Sequence, residues 1–337
     1  MKTYGIVLVG CGYMGAAHLE EIYYRDNIVI RGVVDLDMAR AKDFARKYCA
    51  QTCNTDYHEY LQDPNAEVFI ISTYPDTHLM ILRDCLANGK HVLCEKPITS
   101  TLEEAEEFIR LAKQSEAKVL VGHILRHNST YNKVKEMIDN GAIGSPIVMR
   151  MVQNKHIKEW SRHLELIENT SPIVDCGVHY IDIMQWFTGA RIKSISGISS
   201  ALEPNIPEGK YNYGMFTARL TDGSVGYYEA GWGNTIASED VKEFIGPKGR
   251  IRIIYGKDRN WHREEGDLIE YYQLPENEYK IINNDAKRKP TWDQLQHLLH
   301  MIEGKSQAVP TMDEVYEAFK IALAADEAVK TGKNIEL

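Results

Sequence analysis

A short stretch of the sequence carries three ionisable side chains that could act together. Asp175, His179 and Asp182 are spaced i, i+4 and i+7, so on a helix they share one face. Their neighbours are largely apolar, and charged groups on an apolar helix are costly unless they are paired or functional. A histidine beside a carboxylate is a suitable proton acceptor near neutral pH. The pattern predicts that His179 is a general base. Two alternatives stay open: a structural Asp–His pair, and a metal site that uses Asp175 and His179 together with His156 or His123.

A lysine follows a predicted strand at a position that suits ligand binding. His91–Cys94 is a short apolar run, and Glu95, Lys96 and Pro97 come directly after it. In open α/β sheets, ligands bind beyond the carboxyl ends of the strands. The proline also disfavours a helical backbone at Lys96. Lys96 is therefore a candidate to contact a reacting group, the alternative being a solvated lysine in a turn.

The chain begins with a glycine pattern that could bind a dinucleotide. The apolar run Ile6–Val9 leads into Gly10, Gly12 and Gly15, and a helix-compatible run follows. In such a GxGxxG loop Gly10 permits a tight turn, Gly12 lets the backbone approach a pyrophosphate, and Gly15 lets the helix pack close to the strand. The start of the helix offers N–H groups and a positive dipole end to that pyrophosphate. The alternative is a glycine turn in some other α/β protein.

An acidic residue completes the fingerprint. The second apolar run, Ile28–Val34, ends at Asp35, about 20 residues beyond the last glycine. A carboxylate there binds the ribose 2′-hydroxyl and repels a 2′-phosphate, which predicts NAD as the cofactor. Arg40 follows closely enough to reach a phosphate, so NADP stays possible.

The first part of the chain alternates predicted strands and helices. Continuous apolar runs joined to helices by short loops indicate a doubly wound parallel sheet. The strands are predicted at Tyr4–Val9, Ile28–Val34, Val68–Ser72, His91–Cys94 and Lys118–Val121, and the helices at Tyr13–Tyr24, Met38–Tyr48, Thr77–Asn88 and Leu102–Ser115.

The pattern changes after about Val121. A helix at Asn132–Ile138, a strand at Ile147–Val152, a long polar stretch and an apolar helix at Ile173–Phe187 lead into a series of β-like runs between Ile192 and Gln273. Turn residues separate these runs, which predicts an antiparallel or mixed sheet, and helices at Trp292–Ile302 and Asp313–Thr331 end the chain. The predicted fold class is α/β: a Rossmann domain over residues 1–122 and an α+β domain over residues 123–337. Whether the last helix returns to the first domain is left open.

Composition limits the classes of function. The 337-residue chain has a net charge of −9, and it has no basic cluster of the kind that binds nucleic acid. Since no apolar run approaches the roughly 20 residues of a membrane span, and the sequence enters a strand within a few residues, we expect neither a membrane segment nor a signal peptide. Six cysteines without a CxxC pair indicate reduced thiols in a cytoplasmic protein, with a Cys49/Cys53 metal or redox pair as the alternative.

The motifs taken together resemble those of the Gfo/Idh/MocA oxidoreductases, which include inositol and glucose–fructose-type dehydrogenases. The resemblance covers nearly the whole chain. It rests on the GxGxxG loop, residues 71–78, Glu95-Lys96-Pro97, Val121-Gly122-His123 with Arg126, residues 141–144, and Asp175-x-Gly177-x-His179-x-x-Asp182. It implies a Rossmann domain followed by a domain with a large open, mostly antiparallel sheet that often serves oligomerisation, here as a homodimer or homotetramer.

The resemblance also implies roles for individual residues. Lys96 would hydrogen-bond the reacting hydroxyl, His179 would be the general base, and Asp175 would orient the substrate or the histidine. The implied cofactor-binding residues are Gly10, Gly12, Tyr13, Met14, Gly15, Asp35, Arg40, Ser72, Thr73, Pro75, His78, Glu95, Lys96 and Arg162. The implied substrate-binding residues are Lys96, His123, Arg126, Trp160, Asp175 and His179.

The chain departs from the family pattern at two places near these residues. Asn169-Thr170-Ser171-Pro172 replaces a glycine-rich turn, and His123 and His127 stand where aromatic residues are frequent. The added polar groups could serve an amino sugar, a uronate or another polyol.

These observations support one main hypothesis and two alternatives. The chain is predicted to be an NAD(H)-dependent dehydrogenase of a sugar, sugar derivative or cyclitol that needs no metal. The first alternative is a glycosidase or epimerase that oxidises a sugar only transiently. The second is a non-catalytic sugar- or NAD-sensing regulator.

Overall fold

The structure, a computed structural model, describes residues 2–258 and 266–337. Its first part alternates strands and helices, as predicted. In chain order the elements are β1 Tyr4–Val9, α1 Tyr13–Ile22, β2 Ile28–Val34, α2 Met38–Lys47, β3 Thr52–Asn54, β4 Val68–Ile71, α3 Pro75–Ala87, β5 His91–Cys94, α4 Leu102–Gln114 and β6 Val119–Val121. Short 3₁₀ helices lie at Tyr57–Tyr60 and Ile124–His127.

These strands form a parallel sheet in the order β3-β2-β1-β4-β5-β6, which confirms the predicted Rossmann fold. Every residue of β1 and β4 is buried, as expected for strands that helices cover on both faces. The sequence did not indicate β3, because its three residues, Thr52–Asn54, are polar or small and only partly buried.

The second part of the chain begins with a helix and continues into a larger sheet. Its elements are α5 Ser129–Asp139, β7 Val148–His156, α6 Trp160–Asn169, α7 Pro172–Asp175, α8 Gly177–Thr188, β8 Ile192–Ser200, β9 Tyr213–Leu220, β10 Val225–Gly233, β11 Glu239–Gly246, β12 Gly249–Ile254, β13 Asp267–Gln273 and β14 Glu278–Asn284. The chain ends with α9 Thr291–Ile302, α10 Met312–Thr331 and β15 Ile335–Glu336.

Within the described residues the second sheet has the linear order β14-β13-β12-β11-β7-β10-β9-β8-β15. Strands β7 and β10 pair in parallel, and the other neighbours in this part of the chain pair antiparallel. This open, mostly antiparallel sheet confirms the predicted α/β class with two different sheets. Side chains alternate between its faces, and α7 and α8 pack against the face that carries Phe216 and Tyr228.

The chain divides into two compact units. Unit 1 contains Met1–His127 and Lys289–Tyr316, and unit 2 contains Asn128–Arg288 and Glu317–Leu337. The first division therefore lies five residues beyond the predicted boundary, and α9 belongs to unit 1, where Leu295, Leu298 and Leu299 join the core. The last division falls inside α10. Across residues 2–258 and 266–337, no helix is both long and apolar enough to cross a membrane.

Candidate active site

The three glycines of the opening loop meet three different constraints. Gly10 has φ +100°, and a Cβ there would lie 2.6 Å from the carbonyl oxygen of Ser72. A Cβ on Gly15 would lie 2.3 Å from the carbonyl oxygen of Gly10. Gly12 differs, because a Cβ there would face open space. The backbone at Gly12 thus forms a cradle that a side chain would fill, and this geometry fits a dinucleotide pyrophosphate.

The start of α1 is arranged to receive an anion. Its N-cap is Gly12, whereas the N-caps of α2, α4 and α5 are Asp37, Thr101 and Asn128, whose side chains accept backbone N–H bonds. The first turn of α1 reads Tyr-Met-Gly-Ala and so brings no negative charge. The first N–H groups and the positive end of the helix dipole are the groups that bind phosphate in such folds.

A lysine from a distant part of the chain reaches the same helix end. The Nζ of Lys289 lies 3.7 Å from the centroid of the Tyr13 ring and 3.2 Å from Sδ of Met14. These two side chains occupy the first positions of α1. This contact could not be predicted from the sequence, since Lys289 and Met14 are 275 residues apart.

Asp35 is held in a fixed orientation at the end of β2. Its two carboxylate oxygens accept N–H bonds from the backbone of Cys11 and Asp37, each at 2.9 Å. Arg40 lies 3.4 Å from the carboxylate and is half-exposed. Because backbone groups fix the carboxylate beside the glycine loop, its position suits a ribose hydroxyl, and Arg40 contacts the same carboxylate.

The predicted cofactor residues after β4 form a second edge of this region. Ser72 Oγ donates to the carbonyl oxygen of Gly10 at 2.8 Å, so the loop after β4 is tied to the glycine loop. Thr73 Oγ1 lies 2.7 Å from Thr77 Oγ1, and Pro75 is the first residue of α3. His78 is fully buried, its ring nitrogens lie near two carbonyl oxygens, and burial lowers its pKa.

Lys96 lies next to a buried, hydrogen-bonded Glu–His pair. Glu95 Oε1 is 2.8 Å from Nε2 of His18, and both side chains are almost fully buried. Burial by itself would raise the pKa of Glu95, but the hydrogen bond and charge of His18 and the charge of Lys96 outweigh it and lower the pKa. Lys96 is half-buried directly after β5, and its peptide bond to Pro97 is cis. His18 could not be recognised as a site residue from the sequence, because a single histidine inside a helix carries no spacing signal.

The helix that carries Asp175 and His179 differs from the continuous helix predicted for it. Helix α7 ends at Asp175, α8 begins at Gly177, and Cys176 joins them. Asp175 and His179 are half-buried, and Cys176 Sγ donates to Asp175 Oδ2 at 3.3 Å. A Cβ on Gly177 would lie 3.2 Å from Cε1 of Tyr228. A glycine at this position therefore lets the two residues lie close to the large sheet.

A buried lysine lies beneath this helix, on the sheet. Lys242 is fully buried, and its Nζ donates to the carbonyl oxygen of Val152 at 2.6 Å and lies 4.7 Å from the Tyr180 ring centroid. Burial lowers the pKa of Lys242 to about 8, against the opposing effect of Asp240 at 3.7 Å. The sequence did not single out this residue, because alternation along a strand does not distinguish a buried lysine from an exposed one.

The other predicted substrate residues are placed as follows. Arg126 is buried and forms a salt bridge with Glu314 at 3.1 Å, and His123 is buried close to it in the sequence. Trp160 begins α6 and donates from Nε1 to the carbonyl oxygen of Pro204 at 3.3 Å. The side chain of Arg162 lies outside the described part of the structure. In the described ranges, no group of three or more His, Cys, Asp or Glu residues is arranged to hold a metal ion.

Except for Arg162, which belongs to unit 2, the predicted cofactor residues lie in unit 1 at or after the carboxyl ends of β1, β2, β4 and β5. Asp175 and His179 lie together in unit 2. A Rossmann sheet with an intact glycine loop and a fixed acid after β2 defines a dinucleotide-binding protein. The catalytic and binding roles of the individual residues stay predictions.

Comparison with known proteins identifies the family. Residues 4–123 match the model of the oxidoreductase family with an NAD-binding Rossmann fold, and residues 131–252 match the Gfo/Idh/MocA C-terminal domain. The chain belongs to the Gfo/Idh/MocA family. This confirms the predicted resemblance and the predicted class, an NAD-dependent oxidoreductase.

Individual relatives carry related names. The chain is 26% identical to the scyllo-inositol 2-dehydrogenase (NAD(+)) of Bacillus subtilis, over 98% of this chain and 96% of that protein. It is 24% identical to the myo-inositol 2-dehydrogenase of Thermotoga maritima, over 73% and 74%. It shares its fold with a scyllo-inositol dehydrogenase of Lactobacillus casei solved with NAD(H) and scyllo-inositol (TM-score 0.81, 22% identity, 99% of each chain).

Proposed function

We propose that this protein is an NAD(H)-dependent dehydrogenase that interconverts a ring hydroxyl and a ketone on a cyclitol, sugar or sugar derivative. The observation that carries the proposal is Lys96, which lies two residues beyond the end of β5 at the carboxyl edge of the NAD-binding sheet. The inositol dehydrogenases among its relatives support a polyol ring as the substrate. The buried Glu95–His18 pair supports Lys96 as a residue held in a defined position.

The proposed chemistry needs a hydride acceptor, a proton acceptor and a group that binds the reacting oxygen. NAD+, when bound, accepts the hydride that leaves the carbinol carbon. Lys96 donates a hydrogen bond to the carbinol oxygen and stabilises negative charge on it. His179 takes the proton of that oxygen and returns it in the reverse reaction, and Asp175 orients the imidazole or the substrate. The C–H and O–H bonds break and the carbon–oxygen bond becomes double, while the hydride goes to NAD+ and the proton to His179, so the reaction balances.

A substrate panel tests this proposal. Purified protein is mixed with NAD+ or NADP+ and with inositols, neutral sugars, uronates and amino sugars, and nicotinamide absorbance is followed. We expect reduction of NAD+ with at least one polyol, and a loss in kcat of at least about 100-fold in Lys96→Met and in His179→Gln. Lys118→Met and His300→Gln alter exposed residues outside the proposed site and serve as controls.

Other outcomes of the same panel would overturn the proposal. Unchanged turnover in both variants would show that Lys96 and His179 are not the catalytic groups. Glycoside cleavage or epimerisation without net reduction of NAD+ would identify transient oxidation instead. Binding of NAD and a sugar without any turnover would identify a sensor.

We also propose that the protein works in the cytoplasm as a homodimer or homotetramer assembled through the second sheet. Exposed apolar side chains lie on the face opposite α7 and α8, among them Val148, Ile198 and Ile281. Light scattering of the purified chain tests this. A monomer, or an Ile198→Lys variant that keeps the assembly of the unaltered chain, would contradict the proposed interface.

A further inference from the structure

Two hydrogen-bond donors lie side by side on the helix-covered face of the second sheet. Strands β7 and β10 run in parallel, with Lys155 paired to Trp232 and Met151 paired to Tyr228. Tyr228 faces α8, where it lies against Gly177. Since residues four apart on a regular strand point to the same face, Trp232 and its partner Lys155 also face the helices.

Among the described residues, the tryptophan is a buried donor without an acceptor. Trp232 is 1% exposed, and its Nε1–H has no hydrogen-bond partner within the part of the chain that the structure describes. His163 of α6 approaches the indole with its ring centroid at 5.9 Å. An unmet buried N–H costs free energy, so such a group is rare in a folded protein and a bound acceptor is one explanation for it.

The lysine beside it is a charge without a counter-ion among the described residues. Lys155 is half-buried and has neither an ion pair nor a hydrogen bond with any described residue. The neighbouring acid Asp240 is already engaged by two other lysines, Lys242 at 3.7 Å and Lys257 through its second oxygen. The positive charge of Lys155 is therefore not offset by Asp240.

These donors lie close to the proposed catalytic helix. Tyr228, which packs under Gly177, donates from its hydroxyl to Gln153 Oε1 at 3.4 Å. Lys155 lies two residues beyond Gln153 on the same face, a separation of about 7 Å along the strand. A pyranose or cyclitol ring with one substituent spans such a distance. A substrate held at Asp175 and His179 could thus present its far side to Lys155 and Trp232.

We propose that Lys155 and Trp232 bind a carboxylate of the substrate, which makes the substrate a sugar acid rather than a neutral polyol. This inference rests on the proposed function and narrows its substrate class. A carboxylate has two oxygens, one for the ammonium group and one for the indole N–H, and it neutralises the half-buried charge. A phosphate ester shares the charge but has more oxygens than these two donors would satisfy.

Steady-state kinetics with matched substrates test this assignment. The ratio of kcat/KM for D-glucuronate to that for D-glucose should exceed about 10 in the unaltered protein. Lys155→Met should lower kcat/KM for glucuronate by about 10- to 100-fold, mainly through KM, and leave the value for glucose within about twofold. Trp232→Phe should also lower kcat/KM for glucuronate and not for glucose, but by a smaller factor than Lys155→Met. Lys155→Arg should restore most of the loss, and Lys158→Met, an exposed lysine nearby, is the control.

Equilibrium binding separates failure of this inference from failure of the proposed function. Calorimetric titration of the NAD-saturated protein with glucuronate, glucose and glucose 6-phosphate requires no turnover. Glucuronate binding that is lost in Lys155→Met supports the inference even when nothing is oxidised. Three results would overturn the inference. The unaltered protein could bind glucuronate and glucose equally well, or it could bind glucose 6-phosphate more tightly than glucuronate. A folded Lys155→Met variant could also lose the same affinity for all three ligands.

Discussion

At the level of single residues, Asp35 connects the glycine loop to the choice of cofactor. Its carboxylate accepts N–H bonds from Cys11 and Asp37 and contacts Arg40, so both orientation and charge are fixed. Asp35→Ser removes the repulsion of a 2′-phosphate and releases Arg40. We expect the Kd for NAD+ to rise about 10-fold and the Kd for NADP+ to fall, as measured by calorimetry. Asp43→Ser, on the exposed side of α2, is the control, and an unchanged NAD+/NADP+ ratio in Asp35→Ser would be inconsistent with this role.

Lys289 leads to a second prediction about the cofactor. Its ammonium group lies beside Tyr13 and Met14 at the start of α1, where a pyrophosphate would add two negative charges. Lys289→Met should weaken NAD+ binding about 5- to 10-fold and make it less sensitive to salt, whereas adenosine binding should not change. Lys289→Arg should keep most of the affinity, and Lys305→Met is the surface control. Equal losses for NAD+ and adenosine would indicate a structural role instead.

Residues of the site differ in how far the sequence could reveal them. The glycines and Asp35 were predictable, because their roles depend on spacing within one βαβ unit. His18, Lys242 and Lys289 were not, because each acquires a partner only through the tertiary fold: Glu95, the Val152 carbonyl oxygen and the start of α1 respectively.

At the level of elements, two glycines in the turn between β1 and α1 should have different effects on NAD+ binding and on protein stability. A Cβ at Gly12 would enter open space, whereas a Cβ at Gly15 would overlap the carbonyl oxygen of Gly10. Gly12→Ala should therefore leave the free energy of unfolding within about 0.5 kcal/mol and still weaken NAD+ binding at least about 10-fold. Gly15→Ala should cost about 1–3 kcal/mol of stability as well. Urea unfolding and NAD+ titration of both variants measure the two effects, and a strongly destabilised Gly12→Ala would contradict the open-cradle geometry.

The elements that the sequence did not show share a physical cause. Strand β14 is almost entirely exposed at the edge of its sheet, so its residues do not alternate between apolar and polar. Helix α6 lies in a stretch of largely polar sequence, in which Ile167 is fully buried. The break between α7 and α8 at Cys176 leaves the apolar pattern of Ile173–Phe187 uninterrupted, so periodicity predicted one helix there.

At the level of the whole molecule, the two units differ in how the chain builds them. Unit 2 is interrupted by residues 289–316, which return to unit 1 and place α9 in its core. Periodicity predicted that helix, since its apolar positions repeat along one face. It could not predict the unit that α9 joins, because that depends on contacts such as Thr291 Oγ1 to the Ala17 carbonyl oxygen at 3.0 Å and Arg25 over the Trp292 ring at 3.5 Å.

Because unit 1 contains buried histidines, its stability should depend on pH. Burial and the nearby His297 lower the pKa of His127 from 6.5 to about 4, and burial also lowers the pKa of His78. In the unfolded chain these histidines bind protons near pH 6.5, whereas in the folded unit they bind them only at lower pH. This contribution to stability is complete above pH 6.5 and is lost as the pH falls towards 4.

Thermal unfolding of the NAD-bound protein can show this dependence in one unit. NAD+ raises the melting temperature of the transition that includes unit 1, and so identifies it even when the two units unfold separately. Between pH 7 and pH 5 the melting temperature of that transition should fall by about 2–4 °C more in the unaltered protein than in His127→Gln. The glutamine keeps a donor for the Val309 carbonyl oxygen. The exposed His300→Gln should behave like the unaltered protein, and His78 should leave a residual pH dependence in both variants. If the melting temperature of His127→Gln depends on pH in the same way as that of the unaltered protein, His127 is not the group whose protonation opposes folding.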